Sequence, residues 1–181
     1  ALTEDDAHAG TITFSNGGTI SSAVEFKTPA AVSISGTMNI GASAPWAAFT
    51  HTAGNTLITG TLNAAATQLA NTTINGTLNA ASVNLSNLTV AGNSTIATTG
   101  TQQFTGTIDD STADTHTLTL NSDTSQITLA GNVGQTKALK EITVTGPVKI
   151  NCASVKTKDA QTYNSSVTSD GSITLESAAI N

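Results

Sequence analysis

Residues 57–71 read LITGTLNAAATQLAN, and after Thr72 residues 73–87 read TINGTLNAASVNLSN. The second stretch restates the first 16 residues later, in letters that carry no charge. Among the positions that differ, several exchanges are small: Ala66 to Ser82, Thr67 to Val83, Ala70 to Ser86. Faithful repetition at such a period indicates units that cannot bury an apolar face alone and stack on their neighbours to do so.

Apolar and polar residues alternate in short runs on both sides of this pair: TITF at 11–14, VEF at 24–26, VSI at 32–34, THTLTL at 115–120, ITL at 127–129, VKINC at 148–152 and ITL at 173–175. A period of two with one apolar side reads as half-buried strands. Asn, Gly, Ser and Asp separate the runs, and no stretch carries the period of an amphipathic helix. Glycine adds a longer rhythm. Gly36, Gly60, Gly76, Gly106, Gly131 and Gly146 each have an apolar residue two before and two after, and Gly92 keeps half of that pattern. The steps along this series are 24, 16, 16, 14, 25 and 15 residues. They predict coils of about 15–16 or 24–25 residues, the longer ones holding an insertion such as GASAPWAAF at 41–49.

The expected fold is therefore all-β: a right-handed parallel β-helix, or β-solenoid, forming one module over 1–181 with 1–30 as its N-terminal edge or cap. Equivalent residues of successive coils should stand ~4.8 Å apart along the axis. Ile58, Ile74 and Val90 are expected to form one inward column, Leu62 and Leu78 a second, Leu69 and Leu85 a third. Asn63 and Asn79 should make an amide ladder. The sparse charge fits, because a charge repeated in each coil would lie over its own copy.

Composition sets limits on function. Only 10% of the 181 residues are charged and 3% aromatic, while Thr supplies about a fifth; a usual globular chain is about a quarter charged. With three prolines and regularly placed apolar residues, the chain does not have the makeup of a disordered segment. The net charge is −6 and all six cations are Lys, so the basic stripe and guanidinium forks that read phosphates are missing and nucleic acid is excluded as a partner. The single cysteine, Cys152, allows no internal disulfide and shares parity with Val148 and Ile150, as a small buried hydrophobe does. No apolar run is long enough for a membrane helix. The first ten residues lack the basic and apolar regions of a signal peptide, so an export signal is expected to have been removed ahead of them.

Candidate chemistry is thin. His8, His51 and His116 are far apart in sequence. Asp109, Asp110 and Asp114 in DDSTAD are the calcium candidate, although they lack the alternating-acid spacing of a calcium loop and read equally as an acidic turn. Polysaccharide-cleaving β-helices need grouped acids beside Arg, Lys or His, which this sequence does not supply, so no catalysis and no cofactor are expected. Thr-x-Thr dipeptides raise an ice-binding solenoid. At a 16-residue step, however, Thr59 leads to Asn75 and Ala91, and Thr61 to Thr77 and Asn93, so the columns are expected to break. Trp46 and Phe49, in the insertion, are the expected exposed aromatic contacts for a glycan or protein.

The segment at 127–177 contains GNVG at 131–134, Ala138 with Leu139, ITVT at 142–145 and AQTYN at 160–164. It resembles a module that recurs in bacterial surface proteins of the filamentous-haemagglutinin-like and autotransporter-adhesin kind. The resemblance implies an exported, extracellular or cell-surface β-helical stalk that passes an outer-membrane translocator by an autotransporter or two-partner route. It also implies partners on a host or neighbouring cell, protein or glycan. A self-assembling filament, each copy stacking on the next, is the alternative expectation.

Overall fold

The computed structural model describes residues 2–4, 11–26, 31–40 and 47–181. Among them the fold is all-β, without helix, and parallel strands stack as a β-solenoid of about eight turns. Each turn contributes to three faces, and two long strands, Thr61–Ile74 and Thr77–Val90, bend at the corners to serve all three. β-Branched Thr, Val and Ile suit this pleated, half-buried wall.

The columns follow from the register. On the first face, Ile34, Ile58, Ile74 and Val90 stand one above another, none with any exposed surface. On the second, Met38, Leu62, Leu78, Ile96, Leu120, Val144 and Tyr163 succeed each other. On the third, Phe26, His51, Leu69, Leu85, Phe104, Leu129 and Ile150 do so. One apolar core thus runs along the axis, each layer touching only the layers beside it.

Polar residues stack as well. Asn79 Nδ2 donates to Asn63 Oδ1 at 2.8 Å, and Asn63 Nδ2 to Asn39 Oδ1 at 2.7 Å. Asn63→Ala removes two of these partly buried bonds and is expected to cost about 1 kcal/mol, read as a lower denaturation midpoint with unchanged slope.

Coil length is set at the corners. Successive members of the Met38-to-Tyr163 column are 24, 16, 18, 24, 24 and 19 residues apart, so coils of 18 and 19 residues join the shorter and longer ones. The glycines do not make a single stack. Gly36, Gly60 and Gly76 lie over one another between the first and second faces, where Thr61 N donates to Gly36 O and Thr77 N to Gly60 O, both at 2.8 Å. Gly106 and Gly131 stack between the third and first faces, and Gly146 lies beside Ser122 between the second and third. The 14- and 15-residue steps therefore measure part of a turn, from one corner to another.

The insertion behaves differently from expectation at its end. Phe49 is buried, 1% exposed, because the strand Phe49–Ile58 brings it into the third face between Val24 and Thr67. There it meets Phe26 edge-on, ring centres 5.8 Å apart. It is a core residue and not a contact for a partner. Trp46 lies outside the described residues.

Candidate functional site

The acidic segment 109–116 is a folded corner. Asp110 occupies an inward position, in register with Val90, and is 2% exposed. Its carboxylate accepts from Thr112 N at 3.0 Å, Thr115 N at 3.1 Å and His116 N at 2.9 Å, with His116 Nδ1 2.6 Å away. Burial alone would raise its pKa. The hydrogen bonds from His116, backbone and ring, and from Thr112 and Thr115 outweigh burial and hold the group below 3.8.

Asp109 points elsewhere, accepting from Thr136 N at 2.9 Å and Lys137 N at 3.2 Å, and Asp114 is exposed with φ of 65°. The three candidate calcium ligands thus diverge, with both oxygens of Asp110 and Oδ1 of Asp109 occupied by main-chain donors. Among the described residues no group of three or more His, Cys, Asp or Glu could hold a metal ion.

Because the folded pKa of Asp110 lies below its unfolded value, its stabilising contribution is present above about pH 3.8 and is lost as pH falls through the folded value. Asp110→Asn is expected to cost about 2 kcal/mol at neutral pH. The gap from wild type should close below pH 3.8. Thermal melts of both proteins between neutral and strongly acid pH check this.

The other singled-out residues do not converge. His51 is buried, with Nδ1 2.8 Å from Thr56 Oγ1. Cys152 is 4% exposed and burial pushes its thiol pKa up, which disfavours the thiolate a nucleophile requires. His116 contacts Asp110 as an imidazole beside an acid would in a catalytic pair, yet this pair organises a corner. Openings on the surface of the described residues include a polar one and a groove. The polar one, of about 460 Å³, lies between the corner 151–153 and the loop 169–173. The groove, of about 210 Å³, lies on the third face, lined by Thr50, Gln68, Asn84, Thr101 and Gln103. Thr50, Gln68, Asn84 and Gln103 form one outward column, so the groove repeats its chemistry coil by coil.

The feature that the 16-residue step missed is on the second face. Thr37, Thr61, Thr77, Thr95, Thr119, Thr143 and Thr162 stand in unbroken register along its outer surface. The expected break at Asn93 does not occur, because two residues are added at the corner before it. Thr95 N donates to Gly76 O at 3.0 Å, as Thr77 N does to Gly60 O, and so takes the place above Thr77. Ser94 fills the enlarged corner, its hydroxyl 2.8 Å from Gly92 O and 3.2 Å from Ile74 O. The sequence signal for this shift was the alternation STIAT at 94–98, which fixes the strand more reliably than the preceding glycine does. Beside the threonines runs a second column of Asn39, Asn63, Asn79, Ala97, Asn121 and Thr145.

Comparison with known proteins gives no match: no family model, curated protein or solved structure matches the chain.

Proposed function

We propose that the chain is a non-catalytic structural and adhesive module of an exported bacterial surface protein, a β-solenoid stalk that carries a binding surface. The observation behind this reading is the stacking of uncharged outer residues along the second face, from Thr37 to Thr162, while among the described residues the acids, histidines and cysteine converge on no reaction centre. The groove on the third face is the adhesive surface in this reading. Its column of Thr50, Gln68, Asn84 and Gln103 presents amides that both donate and accept, as recognition of sugar hydroxyls or an extended peptide requires. The resemblance of 127–177 to adhesin modules supports export through an outer-membrane translocator and residence at the cell surface. Glycan-array and whole-cell binding by the purified chain test the proposal. Binding that Gln68→Ala with Gln103→Ala abolishes is the expected result, and release of sugar fragments from a polysaccharide panel would overturn it.

A second reading, end-to-end assembly into a filament, is favoured by Val167 and Ile180, 42% and 53% exposed on the last coils. A further stacked coil, of the same chain or of another copy, would cover them. Electron microscopy separates the two: fibres that lengthen with concentration support assembly, and uniform short rods exclude it.

A further inference from the structure

We propose that the outer surface of the second face is an ice-binding surface, with the threonine column as its organising row. The inference is independent of the adhesive reading, which uses the third face.

The row has the features that ordering a water lattice demands. Threonine presents a hydroxyl and a methyl from one stiff β-branched carbon, so few rotamers are lost when water is organised around it. Six parallel steps of ~4.8 Å carry the row over roughly 29 Å, and the neighbouring column stands ~6.7 Å to its side, two residues along each strand. The result is a straight row of identical groups at one fixed period, the regularity that registry with a crystal lattice requires. Neither column holds an ionisable side chain, and the acid on the row's other flank, Glu141 beside Thr143, stands toward one end of it. A charge would bind its own hydration shell and interrupt the lattice.

Hydrogen bonding distinguishes this row from the corner threonines. The hydroxyls of Thr59 and Thr105 each donate to a main-chain carbonyl of the coil below at 3.3 Å. Among the described residues, none bonds the hydroxyls of Thr61, Thr77, Thr95, Thr119 or Thr143, which are left for water. In the adjacent column the amides of Asn39, Asn63 and Asn79 bond one another along the axis. These two bonds hold the three amides in line along the axis and leave the hydroxyl row to set the pattern. The other faces lack this order. Outward positions of the third face pass from Glu25 through Thr50, Gln68 and Asn84 to Gln103, Thr128 and Lys149, mixing charge and size. A crystalline polysaccharide, the other periodic ligand, is disfavoured because neither column offers an aromatic ring for a sugar to stack on.

The test is partition of the fluorescently labelled chain into a slowly growing ice hemisphere, together with thermal hysteresis and crystal habit under a microscope. Wild type should enter the ice and facet the crystals. Thr77→Lys with Thr119→Lys, kept apart by the coil of Thr95 so that the two charges do not stack, should abolish both while circular dichroism and melting temperature stay near wild type, and Thr73→Lys on the first face should change neither. Thr95→Ser with Thr119→Ser, which keeps the hydroxyls and loses the methyls, should partition less than wild type if the folded row is responsible. Exclusion of the wild-type chain from ice overturns the proposal, as does equal partition of the folded lysine variant. Neither result depends on glycan or cell binding.

Discussion

Gly76→Ala is expected to destabilise the fold by about 3 kcal/mol, a large fraction of what a domain of this size possesses. The added Cβ would overlap the carbonyl oxygen of Gly60 and stand 3.0 Å from its carbonyl carbon and 3.2 Å from its nitrogen. Those are main-chain atoms of the coil below, and that same carbonyl accepts from Thr77 N at 2.8 Å. Relief therefore requires two coils to separate or the register to slip. A side chain at a flexible tip could turn aside, but stacked backbone cannot. Gly171→Ala is the control, since a Cβ there meets nothing within 4 Å. It should leave stability unchanged or raise it by a few tenths of a kcal/mol through the unfolded chain. Urea denaturation followed by circular dichroism reads both. A loss under about 1 kcal/mol for Gly76→Ala would show that the coils are not as closely stacked at this corner as described.

Phe49→Ala is expected to cost about 3 to 5 kcal/mol. Phe49 is 1% exposed and fills the third face between Val24 below and Thr67 above, with its ring edge-on to Phe26, interplanar angle 72°. Phe26 in turn contacts Phe14 and His51, with ring centres at 6.5 and 5.9 Å, so truncation opens a cavity in an aromatic cluster that cannot collapse without moving several rings. A residue at an exposed binding surface would behave oppositely: binding would fall and the denaturation midpoint would hold. Measuring both on the same variant separates these cases, and an unchanged midpoint would refute the core assignment.

The wall of the solenoid was legible in the sequence because period-two alternation and a 16-residue repeat act locally and at short range. Ile58 over Ile74, Leu62 over Leu78 and Leu69 over Leu85 could be paired by counting. Counting failed where a corner changed size. Between Val90 and Thr95 the turn holds two more residues than the turn between Ile74 and Thr77, and a fixed step places Asn93 where Thr95 stands. Glycine misled for a related reason, since three different corners each favour a residue without Cβ and sequence does not say which corner is meant. Phe49 was misassigned because it is the last residue of the run read as the insertion, and only the register to Val24 shows that the chain has already re-entered the wall. The Asp110 clamp was hidden in a run of acids: an inward carboxylate becomes tolerable only once the backbone of 112–116 folds over it.

The hydrogen bonds that join coil to coil run along the long axis of the molecule, and this has a mechanical consequence. A pull applied to the two ends loads one layer at a time, so resistance is that of a zipper and does not grow with the number of coils. Yielding releases the chain in units of 16 to 25 residues, the separations of Leu62 from Leu78 and of Ile108 from Val133, which is roughly 55 to 85 Å of extended chain per event. Such a solenoid gives way progressively under tension and re-forms from any intact layer, extending many times its own length before the last layer is lost.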